Sequence, residues 1–311
     1  MDQLVTLFGG GGFLGRYVVQ ALCQAGVRIR IVQKNPRNAY FLKPLAELGQ
    51  IQFVAVDIRD KDQVMAAVQG SSAVVNLVGI LKGKFQKIHV EGARNISEAA
   101  MAAGAKSFAH VSAIGADPKS PSAYGRSKAL GEEAVRAAFA QATIIRPSIV
   151  FGREDNFINK LATMTGLFPL LPVLSARTKF QPVYVADIAH AITAAALDPM
   201  RHGGNIYELG GPEVMSMRSI YERVGEATGR QPILINIPNI FGAVLALFTG
   251  WLPGAPITWA QWKMLRRDNV ASKNSKSFDD FGISPAPFAA ISQNWLIRYR
   301  RHGRFTARQT Y

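Results

Sequence analysis

Cysteine is almost absent: Cys23 is the only one in 311 residues, which excludes an internal disulfide and any multi-cysteine metal site. Carboxylates are scarce too, with 21 Asp and Glu against 36 Lys and Arg, a formal net charge of +15. From Gln3 to Ala46 there is no acidic side chain at all. The uncharged stretch Ile240–Leu252 holds thirteen residues, short of the roughly 20 that a membrane-spanning helix needs. The first apolar run, Leu4–Phe8, passes straight into glycines, so no secretory leader is expected and a reducing cytosol is the expected compartment.

What is present is apolar: 48% hydrophobic residues against 18% charged ones exclude a disordered chain and allow a large core. The positive charge asks for an anionic partner, whether nucleic acid, acidic lipid, acidic protein or a phosphate-bearing cofactor. It is unevenly spread, because Ala260–Tyr311 carries ten Lys and Arg against three Asp.

Short apolar runs alternate with helical periodicity through the first half. Strands are expected at Leu4–Phe8, Arg28–Val32, Ile51–Ala55, Ala73–Asn76, Ser107–Val111 and Thr143–Ile145, and helices at Gly12–Ala25, Asp60–Gln69, Gln86–Ala103 and Ser122–Phe139, with a further one near Tyr40–Leu48. That rhythm predicts an α/β fold, a doubly wound parallel sheet of the Rossmann type. It breaks after Arg146-Pro147. The division expected is therefore 1–150 for nucleotide binding, with later segments returning to it, and 151–311 for a smaller C-terminal α/β lobe. In that lobe, Gly152–Pro172 reads as a helix followed by a Pro-rich loop.

Gly9, Gly12 and Gly15 follow the first strand and open the first helix with G-x-x-G-x-x-G spacing. The first glycine permits a tight turn, the second lets a pyrophosphate approach the backbone, and the third lets helix and strand pack, with the helix N-terminus facing the anion. Phe13 and Leu14 fill the positions between and are counted with the cofactor site. Where the second strand ends, a carboxylate would bind the ribose 2′-hydroxyl of NAD; this chain offers Gln33-Lys34-Asn35-Pro36-Arg37 instead. Lys34 and Arg37 suit the 2′-phosphate of NADP(H), which is the cofactor expected. Asp57, beside Ile58, is placed to accept from the adenine amino group, and Asn76, Val78 and Gly79 end the fourth strand at the ligand-binding edge of such sheets.

Tyr124 and Lys128 lie four apart and so share a helical face. A lysine there can hold ribose hydroxyls and lower the phenol's pKa, making Tyr124 a general acid or base.

Together the glycine loop, Asp57, Asn76-Leu77-Val78-Gly79 and Tyr124-x-x-x-Lys128 resemble the extended or atypical short-chain dehydrogenase/reductase superfamily. The resemblance implies catalytic Tyr124 and Lys128, a serine matching Ser112 and a cofactor contact at Pro147. Extended epimerases often carry several hydroxyl residues after that serine, where this chain has Ala113 and Ile114. Phe151-Gly152-Arg153-Glu154-Asp155 is similar to the branch of NADPH-binding thirty-nine-kilodalton accessory subunits of respiratory complex I and their bacterial relatives. That branch implies a mainly structural NADPH, complex I subunits near the quinone entrance as partners, and a peripheral place on the cytoplasmic side of a bacterial inner membrane. The intact Tyr124 keeps a second implication open, an active NADP-dependent reductase or epimerase.

Ile240–Leu252 reads either as core or as an apolar face toward membrane or partner, with Trp251, Trp259 and Trp262 and the cations Lys263, Arg266 and Arg267 favouring an interface. Trp295–Arg308 places five arginines among aromatics. Anionic lipid or an acidic protein face suits it better than nucleic acid, for which no recognised fold is present; a solvated terminus is the alternative. No metal site is expected.

Overall fold

The computed structural model describes residues 3–238, 241, 243, 259–301 and 303. The chain divides into two compact units, neither of them continuous: the first combines 1–147, 185–209 and 272–284, the second 148–184, 210–271 and 285–311.

The first unit is built on seven parallel strands: β1 (Leu4–Phe8), β2 (Arg28–Gln33), β3 (Ile51–Ala55), β4 (Ala73–Asn76), β5 (Ser107–Val111), β6 (Thr143–Pro147) and β11 (Ile206–Leu209). Their spatial order is β11-β6-β5-β4-β1-β2-β3. It reverses direction beside β1, so the carboxyl ends of β1 and β4 flank the crevice where ligands bind in open parallel sheets. The register is even, with Phe8 level with Val32 on one side and Asn76 on the other.

Helices cover both faces, which is why the central strands are buried and mostly apolar, with Thr6, Asn76, Ser107 and His110 as buried polar exceptions. On one face, α2 (Lys61–Val68), α3 (Ala93–Ala102) and α4 (Ala123–Ala138) bury Val64, Ile96 and Val135 against Phe8, Val74, Phe108 and Ile144. On the other, α1 (Phe13–Gln24) packs on α6 (Val185–Leu197). The helix expected near Tyr40–Leu48 is a 3-10 helix over Pro36–Leu45, opened by Asn35, whose side chain accepts the Arg37 N–H. The helix expected over Gln86–Ala103 begins as a π-helical turn, Gln86–Gly92, and becomes α3 only at Ala93.

In the second unit, β7 (Val150–Phe151) pairs with β10 (Val183–Tyr184), and β9 (Lys179–Phe180) with β12 (Met215–Ser216). The stretch read as a Pro-rich loop contains β8 (Leu170–Leu174), which pairs in parallel with β13 (Ile233–Ile237). Phe151, Ile220, Phe288 and Trp295 form the core with α5 (Phe157–Leu167), α8 (Met217–Thr228) and, following α7 (Pro199–His202) of the first unit and α9 (Trp259–Leu265), α10 (Phe288–Leu296). In the Phe151–Asp155 segment, Phe151 is core and the buried Asp155 carboxylate accepts the Ile158 N–H at 2.6 Å, capping α5.

The expectations for the C-terminal basic region meet a partly internal segment. Trp295 and Leu296 are buried, Arg298 donates to Asn159 Oδ1 at 2.9 Å, and Arg300 donates to the Ala227 carbonyl at 3.1 Å. Trp262 is buried as well, with Arg266 over its ring. Of Ile240–Leu252 only 241 and 243 are described, and Arg304 and Arg308 lie outside the described residues. No described helix is long and apolar enough to cross a membrane, and no group of metal-ligating side chains occurs among the described residues.

Candidate functional site

At the carboxyl end of β1 the backbone turns at Gly9, whose φ of 86° would strain any residue with a Cβ. Its N–H donates to the Val32 carbonyl at 3.0 Å. Gly15 is equally constrained, since a Cβ would lie 2.5 Å from the Gly10 carbonyl oxygen. Gly10 and Gly11, which the motif spacing leaves without a role, are crowded from β2, Gly10 by the branched Ile31 and Gly11 by the movable end of Gln33. A Cβ on Gly10 would come within 2.9 Å of Ile31 Cγ2, and one on Gly11 would collide with the Gln33 carboxamide.

The loop forms one wall of an open cleft of about 720 Å³. Of the residues expected at a cofactor site, Gly9, Gly12, Lys34, Asp57, Ile58, Val78 and Gly79 line it together. Phe13 and Leu14 begin α1, and Arg37 is exposed on the 3-10 helix; none of the three lines the cleft.

Four further lining residues carry charge or hydrogen bonds that sequence reading passed over: Gln33, Arg59, Lys84 and Lys87. Arg59 Nε donates to Asp57 Oδ1 at 2.8 Å and its Nη2 to Oδ2, while Lys34 Nζ lies 3.4 Å from Oδ2. Hydrogen bonding from Arg59 is the main reason the Asp57 carboxyl stays well below the usual carboxylate range. The cleft thus presents four cations, Lys34, Arg59, Lys84 and Lys87, against one carboxylate that is already paired. The Lys82-x-Lys84-x-x-Lys87 spacing was a readable signal, and so was Arg59 two residues beyond Asp57.

At the far end of the cleft, Asn76 Oδ1 accepts the Val78 N–H at 3.0 Å, which leaves its Nδ2 to donate to His110 Nδ1 at 3.2 Å. Lys128 reaches in from α4, donating from Nζ to the Val111 carbonyl at 3.0 Å. A Cβ on Gly79 would lie 3.4 Å from that Nζ, so the ammonium sits directly behind the cleft wall. Burial lowers Lys128 to a pKa of about 8, offset in part by Glu132 one turn on. Tyr124, one turn earlier, packs edge-on to Phe85 and His89 at centroid distances of 6.2 and 5.6 Å, and burial pushes its phenol up to about 12.

Ser112 follows β5 with a buried Oγ that finds no partner among the described residues. Its backbone N–H donates to Ile145, and the Pro147 carbonyl accepts from Ile114. The main-chain turn beyond β5 is thereby tied to the end of β6.

These residues fit a nicotinamide dinucleotide. The glycine turn excludes side chains where a pyrophosphate would touch backbone, and the cations of the cleft match its charge. When bound, such a group supplies hydride transfer at its nicotinamide.

The chain belongs to the NAD dependent epimerase/dehydratase family, whose model matches residues 5–210. It is 34% identical over 309 residues to NADH dehydrogenase (ubiquinone) 1 alpha subcomplex subunit 9, mitochondrial, of Mus musculus, covering 96% of this chain and 81% of the relative. It is 31% identical over 247 residues to the ceramide reductase of Caulobacter vibrioides, covering 76% of this chain and 74% of the relative. Among solved structures, the NADPH-dependent quinone oxidoreductase of Escherichia coli complexed with NADPH superposes with a TM-score of 0.71 at 21% identity, covering 94% of this chain and 99% of that one.

Proposed function

We propose that this member of the NAD dependent epimerase/dehydratase family is an NADP(H)-binding accessory subunit of bacterial respiratory complex I. In this reading it sits peripherally at the cytoplasmic face of the inner membrane near the quinone entrance, and the dinucleotide stabilises its fold. The observation that carries the choice of NADP(H) over NAD(H) is the charge of the cleft: Lys34, Arg59, Lys84 and Lys87 face a single carboxylate already held by Arg59. An extra dianionic 2′-phosphate is favoured there. The complex I assignment is supported by similarity to a complex I subunit along nearly the whole chain. The basic C-terminal region supplies the charge for a membrane or acidic protein surface, although Arg298 and Arg300 also serve inside the second unit.

In the bound state Gly9 and Gly12 would carry the pyrophosphate, Lys34 and Arg59 the 2′-phosphate, and Lys128 the nicotinamide ribose hydroxyls. Because binding selects the folded form, the cofactor raises stability by mass action. The test is a pull-down from detergent-solubilised membranes with mass analysis of proteins and released nucleotide. Recovery with complex I subunits and NADPH supports the reading; recovery only as a free protein sinks it.

A second reading, an NADP-dependent reductase or epimerase, is favoured by one observation: Tyr124 and Lys128 stand together on α4 with Lys128 behind the cleft wall. Here Tyr124 would give or take a proton at its Oη with Lys128 one turn away, but the lowered phenol expected from the spacing is not what the site has: burial holds it up at about 12. Tyr124→Phe separates the readings. Unchanged complex I assembly and respiration in that variant favour the accessory subunit, and lost function with retained NADPH binding favours the enzyme.

A further inference from the structure

The segment after β4 enters its helix through the π-helical turn Gln86–Gly92. Such a turn inserts an extra residue into the helical register and occurs frequently at functional sites. Beside Val90 it delivers one polar side chain inward, His89, only 2% exposed. The ring stacks on Phe85 at a centroid distance of 5.4 Å and meets Tyr124 edge-on.

Both ring nitrogens are engaged. His89 Nε2 accepts the Ile80 N–H at 2.9 Å, so the proton of a neutral ring is on Nδ1. Nδ1–H then donates to Ser127 Oγ at 2.8 Å, and the Ser127 hydroxyl donates to the Tyr124 carbonyl at 2.8 Å. Each polar hydrogen is used once, and the same tautomer follows from either end of the chain of bonds. Ile80 belongs to the cleft wall, next to Gly79, whereas Ser127 and Tyr124 belong to α4. Gly131 permits the close approach, because a Cβ there would run into the His89 carbonyl.

We propose that His89 is a positioning residue which, as the neutral Nδ1–H tautomer, clamps the Ile80 amide of the cleft wall to the Tyr124 turn of α4. The proposal rests on the dinucleotide reading for its purpose: the clamp sets the spacing between the wall on which the nicotinamide ribose lies and the helix that presents Tyr124 and Lys128. A protonated ring would turn Nε2–H against Ile80 N–H and add a second cation beside Lys128. Burial first, and Lys128 second, lower His89 to a pKa of about 3.

The experiment uses the full chain and three readouts. Nitrogen-15 NMR of histidine-labelled parent protein at pH 5 should show His89 neutral with its proton on Nδ1; a doubly protonated ring or a proton on Nε2 overturns the proposal. Hydrogen exchange at the Ile80 amide needs no ligand. It should be about tenfold faster in His89→Phe, which keeps the ring but loses both bonds, and near the parent in His89→Gln, whose amide oxygen can replace Nε2. NADPH affinity should follow the same order, falling about tenfold in His89→Phe and within about threefold of the parent in His89→Gln. Equal exchange and equal affinity in all three proteins overturn the proposal. Should His89→Phe fail to fold, the parent spectrum and the His89→Gln exchange rate decide. If the parent binds no NADPH while the spectrum and exchange behave as expected, the dinucleotide reading fails and the clamp stands.

Discussion

Gln33 closes over the glycine loop: its Oε1 accepts the Gly11 N–H at 2.9 Å while its Nε2 donates to the Asn35 carbonyl at 2.7 Å. One neutral side chain at the end of β2 therefore braces the glycine turn and the start of the 3-10 helix that follows. A carboxylate could make the first bond but not the second, and it would bring a negative charge toward the 2′-position. Gln33→Glu is expected to weaken NADPH binding by about tenfold or more and NADH binding much less. Isothermal titration with both nucleotides checks this, and a parallel loss for the two would show that Gln33 supports the loop without reading the ribose.

Lys128 illustrates a stability cost tied to a site. Its folded pKa of about 8 lies below the 10.5 of the unfolded chain, so between those values the unfolded state binds more protons. Folding stability should accordingly rise with pH across that window, with the burial cost fully present below pH 8 and on the order of 3 kcal/mol. Lys128→Met is expected to raise the thermal midpoint of the unliganded protein at pH 7 by a few degrees, to flatten the pH dependence and to impair NADPH binding. A variant less stable than the parent at pH 7 contradicts the assignment.

Glu132, one turn beyond Lys128, is held by Arg146 through Nε at 2.9 Å and Nη2 at 2.6 Å, and Arg146 also reaches Glu208 at 3.4 Å. The Glu132 side chain is 6% exposed and that of Arg146 22%. Removing one partner from such a pair leaves a charge in low dielectric. Glu132→Gln should cost about 2–4 kcal/mol in urea unfolding, with Glu208 retaining part of the Arg146 interaction. It should also move the Lys128 pKa further down, since Glu132 is the group that raises it. A cost below about 0.5 kcal/mol would place the pair among the surface bridges that contribute little.

The sheet was legible because its parallel strands are buried on both faces and read as short apolar runs, such as Ala73-Val74-Val75 in β4. The glycine turn was legible because its spacing falls between the first strand and the first helix of an alternating pattern. β8 was not, because Pro169 and Pro172 flank or interrupt it; a strand in a two-stranded pair can carry proline where no ladder N–H is needed. The π-helical turn was hidden as well, since one inserted residue leaves the apolar pattern of Gln86–Ala103 looking like a single helix. Lys84, Lys87 and Arg59 were visible as cations but not as neighbours, for their meeting at one cleft depends on the sheet order. The purpose of Gly10 and Gly11 likewise needed β2 in place, because what crowds them is Ile31 and Gln33.

The discontinuity of the first unit has a temporal meaning. β11 completes the sheet beside β6, and α6 covers the face shared with α1, yet both come from residues 185–209, and the segment 272–284 arrives later still. A nascent chain paused after Pro147 would hold six strands in order with one face covered by α1 but not yet by α6, and it must keep the uncovered part from other chains while residues 148–184 are made. Closure of the nucleotide-binding unit is thus a late event in synthesis, governed by long-range contacts.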